Sequence, residues 1–316
     1  MKKTLILLVF LIITTGMFAQ SPGHVKLQNK YITVRVLSFG AEIASFVNNK
    51  TGGEYIWHAG KPWQHHAPLL FPVVGKLKNK IYIYNGKTYR MKNHGFASKK
   101  VFKVDKKNEK HVVMSLKSDE QTKEIYPFDF LLTVDYKLHG RKLKIKYTIK
   151  NTGKDTMYFS IGMHPGFWVP FRTGEKFEDY YLQFQKKETS DRLLLDKKTR
   201  LLSGKIKKNY LNNTNRLNLN REMFKNRVII LKDLQSDYVR IKNKYHNTYL
   251  EIGIKDFPFV GLWSPPGKKA DLICIEPWHG HSDYIGTDQE LTHKKDIIKL
   301  APGQVFEMKT YIKTSK

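Results

Sequence analysis

Three segments each place an ionisable side chain beside proline or glycine in an aromatic setting. They lie at 68–96, which ends in NHGF, at 160–170, which reads SIGMHPGFWVP, and at 274–283, which reads CIEPWHGHSD; their ionisable residues include His94, His164 and Glu276. Carboxyl and imidazole groups can take and give protons near neutral pH, so these residue types support general acid–base chemistry. A residue before proline is pushed to an extended conformation, which places His164 and Glu276 at strand ends or sharp exits, where loops on a rigid scaffold carry function.

Each of these residues also has a structural interpretation. A histidine before proline in an apolar stretch is more often a structural hydrogen-bonding group, and the same holds for His94 in a turn that contains glycine. Glu276 is the stronger lead, because a carboxylate between Ile275 and Pro277 is seldom buried without purpose. The residue types alone therefore leave the choice between catalysis and structure open.

Other side chains could bind a metal or act as a nucleophile. Potential metal ligands occur at His65 and His66 and at His279, His281 and Asp283, and alternate residues of a strand share a face. The chain lacks the HExxH spacing of a helical zinc site, and we expect neither a metal nor another cofactor. Cys274 is the only cysteine, which excludes an internal disulfide, and we predict that it is a small buried hydrophobic residue.

The elements that position these groups are predicted to be strands, because apolar residues recur with a period of two. The pattern is clearest at 143–149, and Gly140 marks the turn that joins this run to the one at 130–138 as an antiparallel hairpin. Shorter predicted strands lie at 31–37, 81–84, 111–116, 228–231, 238–241, 249–254, 271–275 and 305–312. Turn signals such as Asn-Gly and Pro-Gly separate the runs. Many short strands of this kind predict an all-β fold, a large antiparallel β-sandwich.

The first residues of the chain indicate where the folded domain begins. Lys2 and Lys3 precede an apolar run at 5–13, which is typical of a secretory signal peptide cleaved after Ala19. We therefore expect a signal peptide at 1–19, a single domain at 20–316, export to the periplasm or the exterior, and no stable membrane insertion after cleavage. The polar, Asn- and Lys-rich stretch at 205–227 is predicted to be a long surface excursion of that domain.

The charge of the chain suggests a polyanionic partner. Lys and Arg number 56 against 28 Asp and Glu, a formal net charge of +28, which becomes +26 without the signal peptide. Such an excess is typical of nucleic-acid or membrane binding. The lysines, however, are spread over almost every segment and alternate outward on predicted strands such as 143–149. We therefore predict no nucleic-acid partner, and the sequence leaves the oligomeric state open.

The motifs, taken together, resemble those of a known family. LLFPVVGKL at 69–77, HGFA at 94–97, GMHPGFWVP at 162–170 and ICIEPW at 273–278, followed by Asp283, resemble the aldose 1-epimerases, or galactose mutarotases. More narrowly, they are similar to the branch that contains LacX-like proteins and hexose-6-phosphate epimerases, as is the late segment at 291–312. The resemblance covers about residues 25–312 in family order. It implies the twisted β-supersandwich of that family, in agreement with the period-two pattern.

The resemblance also implies a reaction and roles for residues. The family interconverts the α and β anomers of a hexose by opening and reclosing the ring, without a metal or nucleotide. Glu276 matches the general base, His164 the general acid, and His94 a second histidine that hydrogen-bonds a sugar oxygen. Aromatic side chains that could stack on the sugar, with core packing as the alternative, are Trp263, Trp278 and Phe167. Asp283 matches a family position after EPW and binds sugar or holds the loop.

Two departures from the family pattern bear on the substrate. This chain has Lys76 where relatives commonly have arginine after the VVG turn, and Ser98 where the LacX-like branch commonly has arginine after HGFA. Arginine offers a bidentate fork for phosphate, whereas lysine is a point charge. We therefore expect a free aldohexose, with Lys76 or Lys80 binding a sugar hydroxyl. The alternatives are a non-catalytic carbohydrate-binding protein, a hexose-6-phosphate epimerase, and a glycoside hydrolase, which would need a second carboxylate.

Overall fold

The computed structural model describes residues 23–267 and 270–316, and the predicted signal peptide at 1–19 lies outside them. In chain order the strands are β1 (His24–Gln28), β2 (Ile32–Leu37), β3 (Ile43–Asn48), β4 (Leu69–Leu70), β5 (Ile81–Tyr84), β6 (Lys87–Arg90), β7 (Lys103–Asn108), β8 (His111–Lys117), β9 (Phe130–His139), β10 (Lys142–Asn151), β11 (Met157–Phe159), β12 (Ile161–Met163), β13 (Gly166–Trp168), β14 (Tyr180–Leu195), β15 (Leu202–Asn218), β16 (Ile229–Lys232), β17 (Tyr238–Asn243), β18 (Tyr249–Gly253), β19 (Phe259–Trp263), β20 (Leu272–His279), β21 (Ile298–Leu300) and β22 (Val305–Thr314).

Helical structure in this part of the chain is short. The α-helix α1 (Glu120–Ile125) begins at Asp119, whose side chain accepts a hydrogen bond from the Thr122 N–H in a capping arrangement. Single 3₁₀ turns occur at Lys78–Lys80, Ala97–Lys99, Phe177–Asp179, Arg221–Phe224 and Leu291–His293. None of these helices has the length and apolar character that a membrane crossing requires. The secondary structure is the nearly all-β arrangement that the sequence predicts.

Most strands belong to one large antiparallel sheet. Over the described residues its strand order is β4-β12-β20-β19-β16-β14-β17-β18-β22-β10-β9-β8-β7, with β13 also paired to β20 and β15 to β14. Smaller sheets are formed by β1-β2-β3, by β11 with β21 and by β5 with β6. Neighbours in the large sheet are often far apart in sequence, so long connections bring the motif-bearing strand β20 between β12 and β19.

The hairpin of β9 and β10 shows how the pattern of the sequence produces the sheet. Leu143 pairs with Leu138 across the turn at Gly140, as predicted. Leu143, Ile145 and Tyr147 are at most 2% exposed, whereas Lys144 and the other lysines of β10 lie on the opposite, wetter face. Because successive side chains of a strand point to opposite faces, this alternation fixes which face packs on the core.

The large sheet bends until its two ends share a core. Phe71 follows β4, at one end of the strand order, and Phe130 begins β9, near the other end, yet their rings are in edge contact with centroids 5.1 Å apart. The Tyr136 hydroxyl of β9 donates a hydrogen bond to the Ala41 carbonyl at 2.7 Å, which brings the three-stranded sheet onto the same core. The result is the large antiparallel sandwich that the sequence predicts.

Two predicted elements differ from the structure. The stretch at 205–227 is not simply a surface excursion, since β15 (Leu202–Asn218) pairs with β14 through four register shifts. Nearly all of β15 is exposed or half-buried, so both of its faces are polar and no apolar alternation reveals it. The prediction that Glu276 lies at a strand end is also wrong, because β20 continues through Pro277 to His279. Pairing to β19 and β12 on either side keeps this backbone extended.

Candidate active site

The two faces of β20 have different surroundings. Ile273 and Ile275 point into the main core of the sandwich. On the other face, Cys274 and Trp278 belong to two separate small apolar clusters, and Glu276 lies between them because side chains two residues apart share a face. The strand thus presents a single carboxylate, only 1% exposed, in an otherwise apolar row.

The register of the neighbouring strands places His164 beside Glu276. Gly162 of β12 pairs with Trp278, and Gly166 of β13 pairs with Cys274. The same register, continued across the break between β12 and β13, puts His164 directly opposite Glu276. The His164 N–H donates to the Pro68 carbonyl at 3.0 Å, which holds the backbone at this break. As predicted, His164 follows the end of a strand.

His164 and Glu276 form a buried acid–base pair. Nε2 of His164 lies 3.1 Å from Oε2 of Glu276, with side-chain exposures of 12% and 2%. Burial raises the pKa of Glu276 well above its ordinary value, and burial, followed by the proximity of His94, lowers the pKa of His164. Both shifts favour the uncharged forms, because a charge loses its hydration in this site. The shifts therefore raise the free energy of the ionised pair relative to the uncharged pair, and both of these states hold one proton.

His94 approaches the pair from a tight turn next to β4. Its backbone is left-handed, with φ of 64°, and Gly95 follows with φ of 74°. A Cβ at Gly95 would lie 2.2 Å from the Phe71 carbonyl oxygen, so only glycine permits this approach. The Gly75 N–H donates to Nδ1 of His94 at 3.1 Å, and the two imidazole rings of His94 and His164 are in edge contact, with centroids 5.6 Å apart.

The hydrogen bond from Gly75 decides which nitrogen of His94 carries the proton. Burial and then the nearby His65 lower the pKa of His94 to about 4, so its ring is neutral at neutral pH. Because Nδ1 accepts the bond from Gly75, the proton of the neutral ring resides on Nε2. His94 is thus a hydrogen-bond donor for an oxygen atom in the cavity, and not a second proton acceptor.

Three tryptophans surround the acid–base pair. Trp63 stacks on the ring of His164 with centroids 5.0 Å apart, and Trp263 meets the same ring edge-on at 5.7 Å. Trp278, 4% exposed, lies along the floor in a slot made by two glycines: Cβ atoms at Gly162 and Gly261 would each come within 2.5 Å of its indole. Phe167, by contrast, is fully buried in the main core.

These residues line a cavity of about 500 Å³, a size that suits a small polar ligand. Of the residues predicted from sequence, the cavity brings together Glu276, His164, His94, Lys76, Trp263 and Trp278. Lys76 follows the Gly75 turn, and its Nζ donates to the Thr199 carbonyl at 2.6 Å. Lys80 is exposed in the turn Lys78–Lys80 and lies outside the cavity lining.

Asp283 holds a loop and does not line this cavity. Its Oδ1 pairs with Lys294 at 2.6 Å, both side chains being 5% exposed, and its Oδ2 accepts the Lys78 N–H at 2.9 Å. Its own N–H donates to the Lys76 carbonyl at 2.8 Å. In this structure Asp283 thus holds the turn that carries Lys76. It lines a neighbouring cavity of about 570 Å³.

The site also contains side chains that could ligate a metal. Ligand atoms of His164, Cys274 and Glu276 all lie within 4.8 Å of one another, and zinc is bound by this mixture of nitrogen, sulfur and oxygen. Burial raises the pKa of the Cys274 thiol, which disfavours the thiolate that a metal needs. The metal ligands considered from sequence are separated, since His281 pairs with Asp296 at 2.8 Å and His65 lines the cavity.

Several cavity residues were missed by the sequence analysis. Trp63 could have been suspected, because the segment KPWQHHAP at 61–68 is rich in proline and histidine and shows no strand alternation. Arg200 and Arg227 also line the cavity. Nothing distinguishes them in a chain with 56 Lys and Arg, because only the fold brings them to the site.

Comparison with known proteins gives consistent results. A family model described as aldose 1-epimerase matches residues 23–310. The chromosomal protein LacX of Lactococcus lactis subsp. lactis is 32% identical over 285 residues, which cover 88% of this chain and 95% of LacX.

Solved structures share the fold along nearly their whole length. A galactose mutarotase related enzyme from Lactobacillus acidophilus is 32% identical, with a TM-score of 0.89 over 93% of this chain and 98% of that one. A galactose mutarotase-like protein from Lactobacillus casei is 28% identical, with a TM-score of 0.87 over 93% of this chain and all of that one.

Proposed function

Because the chain belongs to the aldose 1-epimerase family, we propose that it interconverts the α and β anomers of a hexose, with Glu276 as general base and His164 as general acid. The observation that carries this proposal is the 3.1 Å separation of Oε2 of Glu276 and Nε2 of His164. The anomeric hydroxyl oxygen and the ring oxygen are both bonded to C1. A base and an acid that serve them in one step must therefore lie on the same small region of the cavity, as these two groups do.

The reaction then proceeds by balanced proton transfers. Glu276 removes the proton of the C1 hydroxyl, the C1–ring oxygen bond breaks as the C1 carbonyl forms, and His164 protonates the departing ring oxygen. Rotation about C1–C2 presents the other face of the aldehyde. Reversal of both transfers closes the ring as the opposite anomer and restores the starting protonation of both groups.

The electrostatics of the site support this direction of proton movement. Ring opening converts an ionised pair, glutamate and imidazolium, into an uncharged pair. Burial raises the pKa of Glu276 and lowers that of His164, so the protein environment favours the state that ring opening produces. The Nε2 proton of His94 is available to a sugar oxygen, and Trp63, Trp263 and Trp278 offer apolar faces for the C–H side of a pyranose.

The direct test is polarimetry with freshly dissolved α-D-glucose and α-D-galactose. Wild-type protein should speed the approach to rotational equilibrium, and Glu276→Gln should lower the rate by about 10²- to 10⁴-fold, the usual contribution of a positioned proton acceptor. Glu222→Gln, at a glutamate 86% exposed, is the matched control and should behave as wild type. Sugar binding by calorimetry without any acceleration by wild-type protein would overturn the catalytic assignment and leave a carbohydrate-binding protein.

A further inference from the structure

The cavity wall above the acid–base pair is strongly cationic. Lys76, Lys99, Arg200 and Arg227 line it, against the single carboxylate of Glu276. The two arginines that the family pattern led us to expect after the VVG and HGFA motifs are absent, but the fold brings two others to the same cavity from distant parts of the chain. A neutral hexose requires no such concentration of positive charge.

Both arginines occupy backbone positions that normally favour glycine. Arg200 closes a turn with its N–H on the Asp196 carbonyl at 2.9 Å, and Arg227 closes one with its N–H on the Phe224 carbonyl at 2.7 Å. Their φ angles are 64° and 68°, in the left-handed region where a side chain adds strain. Strained residues tend to cluster at functional sites, so two such arginines on one cavity point to a role for their side chains.

Arg227 reaches the cavity from the segment that leads into β16. Ile230 of β16 pairs with Gly261 of β19, which pairs with Glu276, so these three residues form a row across the sheet. Arg227 lies in the turn that precedes β16, three residues before Ile230.

Arg200 is tied to the same region through Lys76. The Lys76 ammonium donates to the carbonyl of Thr199, directly before Arg200, and Lys76 itself follows the Gly75 turn that holds His94. The Lys76 hydrogen bond therefore connects the turn that carries Arg200 to the turn that positions His94.

The positive charges of these arginines are not neutralised within residues 23–267 and 270–316. Arg221 and Arg240, by comparison, pair with Asp271 at 2.9 Å and with Glu251 at 2.7 Å. Partial burial and then the charge of Arg200 lower the pKa of Arg227, as expected for two guanidinium groups that lie in one cavity and repel each other. A bound anion would relieve this repulsion.

We propose that the substrate is a sugar with an anionic substituent remote from C1, held by Arg200 and Arg227 while Glu276 and His164 act at C1. The inference rests on the proposed function for its reaction, and it narrows the substrate class from free hexoses to anionic sugars. Carboxylate, sulfate and phosphate groups each present two negatively charged oxygen atoms that one guanidinium group can bind in a bidentate manner.

The test compares neutral and anionic sugars with the purified protein. Mutarotation of glucose and galactose is measured beside that of glucuronate, galacturonate, glucose 6-sulfate and glucose 6-phosphate at low ionic strength. We expect a higher kcat/KM for at least one anionic sugar than for its neutral parent, and the three anion types distinguish carboxylate, sulfate and phosphate as the preferred group. Equal or lower kcat/KM for every anionic sugar would overturn the inference.

Substitutions of Arg200 and Arg227 test whether these two side chains cause the preference for anionic sugars. Arg200→Gln and Arg227→Gln should each lower the ratio of anionic to neutral kcat/KM by about 10- to 100-fold, the usual effect of losing a hydrogen bond to a charged group. Arg35→Gln, at an exposed arginine of β2, should leave the ratio unchanged. Arg200→Gly with Arg227→Gly should lower the ratio equally while relieving the left-handed backbone, which separates loss of charge from loss of folding. An unchanged ratio in these variants would contradict the inference.

Failure of the catalytic proposal would be recognised separately. If wild-type protein accelerates no sugar in the panel, the epimerase assignment is wrong, and calorimetry then tests the anion site alone. Binding of an anionic sugar that is lost in the double glycine variant would still support the arginine site. Equal binding by wild type and that variant would overturn it.

Discussion

Burial changes the proton affinities of two ordinary side chains, Glu276 and His164. In water, a glutamate side chain and a histidine side chain are both mostly charged at slightly acidic pH. In the sandwich, the carboxyl lies between Cys274 and Trp278 on one face of β20, and burial favours its neutral form. The Nε2–Oε2 contact of 3.1 Å lets the pair hold one proton between two groups.

The pair predicts the shape of the pH–rate profile. Activity requires the pair to hold one dissociable proton, so we expect a bell whose two limbs belong to the pair. Because burial lowers the pKa of His164, uptake of a second proton should occur well below pH 6.5. Because burial raises the pKa of Glu276, loss of the shared proton should occur well above pH 4.5.

The profile is measured as kcat/KM by polarimetry between pH 5 and 9, with the spontaneous rate subtracted and folding checked by circular dichroism. Replacement of the exposed His139 by glutamine is the control and should leave both limbs in place. An acid limb centred near pH 6.5 would contradict the assignment, since it would indicate a solvent-exposed histidine as the acid.

At the scale of elements, the site depends on how β12, β19 and β20 lie side by side. The strands place glycines, not side chains, against the indole of Trp278: Gly162 on one side and Gly261 on the other. Gly261 also pairs directly with Glu276. The Trp278 indole therefore packs on the residue that lies beside Glu276 in the sheet. These glycines are needed because two neighbouring strands approach one large ring.

We therefore predict that Gly261→Ala disturbs both stability and catalysis. The new methyl group would lie 2.5 Å from the Trp278 indole, and overpacking of this kind costs about 1–3 kcal/mol of unfolding free energy. The displaced indole should also lower kcat/KM for sugar. Urea denaturation and polarimetry measure the two effects. Gly286→Ala, where nothing lies within 4 Å of the added carbon, should change neither; equal effects of both substitutions would show that the slot is not tight.

At the scale of the whole molecule, the large positive charge is spread over the outer faces of strands. The lysines of β10 lie on the solvent side of a sheet whose other side is core, where they solvate the sheet. The cationic wall of the cavity is different in kind, because there Arg200 and Arg227 converge on one enclosed volume. Position in the fold, and not the total charge, separates these two roles.

Buried histidines predict that the folded protein loses stability in acid. Burial lowers the pKa of His94 and of His279 from 6.5 to about 4. The unfolded chain then binds these protons near pH 6.5, whereas the folded protein binds them only near pH 4. Stability that is complete above pH 6.5 should therefore fall as the pH decreases through this window, by about 3 kcal/mol per histidine.

Urea denaturation at a series of pH values between 7.5 and 4.5 measures this loss. His279→Gln should flatten the dependence by removing one of the groups, while His139→Gln, at an exposed position, should not. A stability that is constant over this range in wild type would show that these rings are not buried in their neutral form.

The sequence by itself determined the class of fold and the family. Alternating runs such as 143–149 specify which face of a strand meets the core, because the side-chain period of a strand is two. The motifs around His94, His164 and Glu276 occur in family order, and the family is confirmed by the match over residues 23–310. These are local features, legible in short stretches of chain.

Tertiary structure alone decided which residues share the cavity. Lys80 and Asp283 lie near the motifs in sequence yet outside the cavity lining; the Asp283 carboxylate binds Lys294 and the Lys78 N–H instead. Trp63, Arg200 and Arg227 are distant in sequence yet line the cavity. The pairing of β16, β19 and β20 joins segments separated by tens of residues, and no local pattern encodes the resulting distances. The residues of the proposed acid and base could therefore be recognised from sequence, but the arginines proposed to select the substrate could not.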